Sequence, residues 1–229
     1  MTLSPLARRL LVFAAMLVVA LIATIPLRVG VSGFAEGRFA AREAEGSLWS
    51  GTIRDAQFGT LRFGDGEVGL APLPLLLGRT QLSLGNGSVS ASRTDTGIHD
   101  LDLRLDTAAA LAPLPIASLE LAGATIRFDR GICREAEGTV RARTGQMPGG
   151  YAFPATFAGA VRCENGRLLL ALASQGGMET VQIRLAGDGR YAALVTVRPS
   201  DEASQRLLAA AGFRPTQAGY ALRYAGTLR

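Results

Sequence analysis

The sequence predicts a mainly β domain carried behind a single N-terminal apolar helix. Three observations lead there. Residues Leu10 to Leu27 form an uncharged, almost wholly apolar run. In the rest of the chain, apolar residues recur mostly at a period of two, as half-buried antiparallel strands require. Clusters of Gly, Asn and Asp interrupt that pattern every ~8 to 15 residues, the spacing of short strands joined by tight turns.

The apolar run comes first. Its 18 residues cover about 27 Å at helical rise, close to the hydrocarbon thickness of a bilayer. A cleaved signal peptide is the competing reading, and it wants a shorter apolar core followed by a small-x-small site. Ala20 and Ala23 stand three apart and the run closes on Ile25, Pro26 and Leu27, which favours an uncleaved membrane anchor. Arg8 and Arg9 precede the run, but Arg28, Arg38 and Arg42 follow it, so local charge does not orient the span. Long trailing domains cross regardless of their charge, and two arginines near the N-terminus mark a cytoplasmic end. The expected organisation is a cytoplasmic segment 1–9, a transmembrane anchor 10–27 and a β-rich domain 28–229 outside the cytosol.

The two cysteines, Cys133 and Cys163, permit one pairing, and an exported domain in an oxidising compartment uses it. Closing a loop of about thirty residues stabilises a domain by roughly 3 to 4 kcal/mol in the chain-entropy model. No metal is expected, since zinc wants four ligands and His99 is the sole histidine. The formal charge of +5 and pI near 10 first suggest nucleic acid. All 24 basic residues are arginine, however, and three of them (Arg8, Arg9, Arg28) flank the anchor, leaving 21 against 19 acids. With no run of like charge, nucleic-acid binding is excluded as the reading of this composition.

Along the domain, Leu101, Leu103 and Leu105 alternate with Asp100, Asp102, Arg104 and Asp106, and Val181, Ile183 and Leu185 with Gln182 and Arg184. Similar runs occupy 82–84, 89–91, 125–128, 139–143, 156–163, 167–172, 191–197 and 220–228. Gly64-Asp65-Gly66, Gly85-Asn86-Gly87, Glu164-Asn165-Gly166 and Gly187-Asp188-Gly189 read as hairpin turns, so neighbours in sequence pair in a meander. Helical signals are few: one short turn at Leu73 to Leu77 between prolines, another at Thr107 to Leu111, and a helix after Pro199. That helix has Ser200 as N-cap, Asp201 and Glu202 in its first turn, Leu207, Leu208 and Ala211 as its apolar set, and Gly212 as its stop. The sheet's apolar face must be covered by curling, by a second sheet, by a partner or by lipid.

No enzyme constellation emerges. His99 lies in a polar stretch, read as an exposed turn, away from any nucleophile. Asp100, Asp102 and Asp106 share a strand with Arg104 and read as a solvated face, although paired acids are the one feature on which an envelope enzyme could rest. No Gly-rich segment matches a phosphate loop, and lysine is absent. No catalytic, cofactor-binding or metal residue is assigned, and no cofactor. Trp49, the sole tryptophan, has two readings. As a core residue its truncation to alanine costs about 3 to 5 kcal/mol; otherwise it belongs to a surface that contacts a membrane neighbour.

The ordered features are a single N-terminal span, Glu45-Gly46-Ser47-Leu48-Trp49-Ser50-Gly51, and Pro72-Leu73-Pro74-Leu75-Leu76-Leu77-Gly78-Arg79. They continue with Cys133 before Glu137-Gly138-Thr139-Val140, Cys163 before Glu164-Asn165-Gly166, then Gly189-Arg190-Tyr191 and Ala211-Gly212-Phe213. Together they resemble the type II secretion system protein N family over nearly the whole chain. The resemblance implies a single-pass protein of the Gram-negative cell inner membrane with its C-terminal domain in the periplasm. It implies an accessory role beside the machine that exports folded proteins across the outer membrane, with no catalytic residues to carry over. Trp49 and the cysteine pair match positions that look structural. The family also looks related to AsmA-like envelope proteins, whose curved sheets form open grooves, so the expected fold is an AsmA-like groove or a partly open barrel or sandwich. Two functions follow: an assembly component contacting other inner-membrane secretion subunits, or a module binding a lipid acyl chain on the concave face.

Overall fold

The computed structural model describes residues 5–29, 39–58, 61–108, 111, 114, 116–145 and 151–228. Helix α1 (Pro5–Ala23) precedes one antiparallel sheet of fifteen strands. The strands are β1 (Phe39–Ala40), β2 (Glu43–Ser47), β3 (Ser50–Phe58), β4 (Leu61–Leu70), β5 (Thr80–Leu84), β6 (Gly87–Ala91), β7 (Asp95–Asp106) and β8 (Ile116–Asp129). They continue as β9 (Ile132–Thr144), β10 (Thr156–Glu164), β11 (Arg167–Ser174), β12 (Glu179–Leu185), β13 (Arg190–Val197), β14 (Arg214–Thr216) and β15 (Gly219–Thr227). A short helix, α2 (Pro72–Leu76), links β4 to β5, and α3 (Glu202–Ala210) follows β13.

Sequence neighbours pair from β3 to β13, with β1 and β2 along the outer edge of β3 and β15, then β14, completing the other side. The expected meander and mainly β class are therefore present, as an open sheet whose first and last strands do not pair with each other. In such a meander, connections alternate between the two edges of the sheet. One edge carries the β2–β3 turn, α2, and the β6–β7, β8–β9, β10–β11 and β12–β13 turns. The opposite edge carries α3 and the β9–β10 connection. Asn165 and Gly166, with φ of +51° and +73°, form the β10–β11 turn, the positive-φ pair that matches the twist of a hairpin.

The sheet curls so that β7 and β8 face β11 to β13, enclosing the larger core. Leu119, Val140, Phe157, Leu172, Val181 and Val195 are buried there. At the edge carrying α3, Leu208 and Phe213 close this core together with Phe153, whose ring lies 5.1 Å from Tyr151, 6.4 Å from Phe157 and 6.3 Å from Phe213. Cys133 and Cys163 form a disulfide, Cα to Cα 5.6 Å, as expected. It ties the ends of β9 and β10 beyond the last ladder pair, Ala160 with Thr139.

Several expectations are corrected. Asp201, not Ser200, caps α3, accepting a hydrogen bond from the Ser204 N–H at 2.7 Å; this donation holds its carboxyl below the usual range. Gly64-Asp65-Gly66 is no hairpin turn but part of β4, where Gly64 (φ +74°) meets Ala56 at an irregularity in the β3–β4 register. At the predicted turn 107–111, Leu111 N–H donates to the Thr107 carbonyl; residues 109 and 110 lie outside the described residues. His99 lies in strand β7 rather than a turn, with its side chain exposed.

The apolar run also differs from expectation. Helix α1 ends at Ala23, and residues 24–27 turn onto the sheet: Pro26 bridges Ser47, and Leu27 is buried. The charge-free helical stretch is therefore 10–23, about 21 Å long. Among the described residues no helix is long and apolar enough to cross a membrane.

Candidate functional site

Two features stand out: the socket that receives the end of α1 and an apolar cleft in the curled sheet. The socket is built by the segment 45–51. The Ser47 hydroxyl accepts from the Ser50 N–H at 3.2 Å and closes the β2–β3 turn. That turn presents Leu48 and Trp49 to the end of α1. The Leu48 N–H donates to the Ile25 carbonyl at 2.9 Å, and the Trp49 indole N–H donates to the Ile22 carbonyl at 2.9 Å. The Ile22 carbonyl also takes the Ile25 N–H at 3.3 Å, so Trp49 adds a second donor at the helix end, and Leu48 serves the carbonyl of the segment that follows. Leu27 then drops between Ile53, Ala56 and Val68 to form a second, small core. Gly51 makes room for it, since a Cβ there would stand 2.9 Å from Leu27 Cδ2. Trp49 is thus not the fully buried core residue of the first of its two readings. It is half-buried and braces the helix against the sheet.

The cleft holds about 450 Å³. Ile98, Leu103 and Leu105 of β7 with Leu121 and Phe128 of β8 form one wall; Leu168, Leu170, Ile183, Leu185 and Tyr191 form the other. Tyr191 lies flat over Gly226, where a Cβ would come within 2.8 Å of the ring, and burial pushes its phenol above the usual range. Thr107, buried, turns its hydroxyl to the Ile116 carbonyl. Ser90 and Thr96 also line the space, whose walls are otherwise aliphatic and aromatic and fit for a hydrocarbon chain.

The acids of β7 do not converge on a reaction centre. The Asp102 carboxylate accepts from the Gly123 N–H and from Asn86 Nδ2, both at 2.7 Å, and these bonds hold its pKa below the usual range. The backbone N–H of Asp100 (φ +47°) donates to the Thr125 hydroxyl at 3.1 Å, and the same hydroxyl lies 3.4 Å from His99 Nδ1. These side chains fasten two register shifts between β7 and β8. Asp106 lies apart, in a polar depression with Asp55, Arg62 and Arg104 whose charges compensate one another. Among the described residues no three His, Cys, Asp or Glu side chains gather to hold a metal ion.

Residues 38–223, from just before β1 into β15, match the family described as type II secretion system (T2SS), protein N. The chain belongs to that family. No curated protein and no solved structure matches it. The matched range contains the socket segment 45–51, the disulfide and the cleft walls, while α1 lies outside it. The family places the chain among type II secretion components. Sequence reasoning found Trp49 and both cysteines, but not the partners of Trp49. Ile22, Ile25 and Leu27 sat inside a run read as membrane-spanning, and only the early end of α1 reveals that they dock on the sheet.

Proposed function

We propose that this protein is a non-enzymatic accessory component of the type II secretion system. Helix α1 holds it at the inner membrane, and its β domain projects into the periplasm. The carrying observation is α1 itself. Leu10, Leu11, Phe13, Met16, Val18 and Val19 are each more than half exposed, although at about 100° per residue they point to every side of the helix. A helix apolar all round belongs in a protein core or a bilayer, and none of the described strands covers it. The charge-free stretch alone is short. Arg8 and Arg9 extending their guanidinium groups to the headgroups bring the full helix of 19 residues, about 28 Å, into the hydrocarbon layer. Its partners on this reading are other inner-membrane secretion subunits. Isolation of the full chain in mild detergent, from cells running type II secretion, is expected to recover those subunits from a carbonate-resistant membrane fraction. Repeated recovery without them overturns the assembly role, and release by carbonate overturns the anchor.

The cleft supports a second reading, a carrier of a single acyl chain, since its volume lies within the range of ligand sites and its lining is almost wholly apolar. Native mass spectrometry of the detergent-exchanged protein is expected to show a bound lipid mass on this reading; a clean apo mass from several preparations removes it.

A further inference from the structure

We infer that the loop around α2 is a second membrane-contacting element that lies on the headgroup layer of a phospholipid bilayer beside the base of α1. The inference rests on the membrane reading of α1 given above and adds a surface to it. Leu73 and Leu77 are 74% and 79% exposed, more than any large apolar side chain of α1. They are not on a loose loop. Pro72 and Pro74 set its first turn, and the N–H groups of Leu77, Gly78 and Arg79 all return to the carbonyls of Pro74 and Leu75 at 2.9 to 3.0 Å. A rigid turn that holds two leucines in water at this exposure keeps them for contact with something apolar.

The position of the turn says what that is. A short series of hydrogen bonds ties α2 to the end of α1. Trp49 donates to Ile22, Leu48 donates to Ile25, and the Leu70 N–H, two residues before α2, donates to the Leu48 carbonyl at 3.0 Å. The alternation of connections places α2 and the Trp49 turn on the same edge of the sheet. A helix inserted in a bilayer therefore brings Leu73 and Leu77 to the water interface, with Trp49, a residue type enriched at that depth, between them and the helix. The charges agree. Arg28, Arg79 and Arg93 are exposed and, among the described residues, form no ion pair. Arg79 and Arg93 lie on the same edge, just beyond the Thr80–Ala91 pair. The nearby carboxylate, Asp95, accepts the Thr94 hydroxyl. Apolar side chains rimmed by unpaired arginines are the pattern of an element that lies in the interface plane of an anionic membrane.

Both native cysteines are bonded to each other and no free thiol remains among the described residues, so a single added cysteine can be labelled selectively. The full chain carrying Leu73→Cys or Leu77→Cys, labelled with an environment-sensitive fluorophore, is reconstituted into vesicles of phosphatidylethanolamine and phosphatidylglycerol and floated. Ala209→Cys on α3, at the opposite edge, is the control. The expected result is a blue-shifted emission at 73 and 77 that is lost when shallow nitroxide lipids are included, with Ala209→Cys unchanged. Chains that float while 73 and 77 behave like 209 leave the anchor standing and overturn this inference. A blue shift without nitroxide loss assigns the leucines to a protein contact and overturns it too. Chains that fail to float remove the anchor reading, and this surface with it.

Discussion

The two flanks of the sheet are held together by different means. From β7 to β15 the curled strands enclose one continuous core, with 21 buried residues among the described ones, closed at one edge by α3 and stapled at the other by the disulfide. From β1 to β6 the fully buried cluster is Leu27, Ile53, Ala56 and Val68, and one of the four comes from the segment ahead of the sheet. The first flank supplies its own stability. The second borrows part of its stability from the segment that ends α1, so that segment also completes the fold.

This contrast ranks the expected effects of substitution. Phe157→Ala, at the centre of the large core, is expected to cost about 3–5 kcal/mol, read as a lower urea midpoint with all probes shifting together. Removing the disulfide by Cys133→Ser with Cys163→Ser opens a loop of 30 residues and is expected to cost roughly 3 kcal/mol. A loss near zero in either experiment would dissolve the claim that this flank is the stability centre. Leu27→Ala is expected to cost about 2 kcal/mol, the low end for a buried leucine because a small cluster relaxes readily. Its signature is local: faster amide exchange in β2 to β4 with β9 to β12 unchanged. Uniform acceleration across the sheet would erase the distinction between the flanks. Trp49→Phe keeps most of the ring contact and deletes the indole bond to Ile22, for an expected loss of about 1 kcal/mol, read in exchange at Ile25 and Leu48.

The smallest effect at neutral pH is expected from Tyr151→Phe. Burial, then the facing Glu179 carboxylate, push the Tyr151 phenol up from 10.0 to about 12. Between those values the unfolded chain has released a proton that the folded chain still binds, so stability falls as pH rises through this window. The variant is expected to show a shallower fall of Tm there. An unchanged slope would show that the aromatic plug beside α3 does not contribute to alkaline unfolding.

Legibility in the sequence followed this division except at β5, β6 and β14. Strands β5 to β13 and β15 were readable because each places aliphatic residues at alternate positions over a core that uses them, as in Leu101-Asp102-Leu103-Arg104-Leu105. Strands β1 to β4 were not readable. Ser50 to Phe58 and Leu61 to Leu70 carry Gly51, Gly64 and Gly66 where alternation would put core residues, and their register shifts at Ile53 and Ala56 break the period. A thin core asks for few large side chains and so leaves little pattern. Trp49 was conspicuous by type, yet its role depended on where a helix stops. Eighteen apolar residues in a row do not mark the point at which a helix gives way to a docked segment. The cleft was foreseen only as a face in need of cover; which strands would face each other across it depended on how far the sheet curls.

The junction at Trp49 has a mechanical consequence. An indole bond, a backbone bond, a bridge at Pro26 and the Leu27 plug clamp residues 22–27 to the sheet at several points. No swivel separates helix from domain. Tilt or rotation of α1 is thus transmitted to the strands as torque, as a mast turns the boom fixed to it, and the domain's heading is steered by whatever packs against the helix.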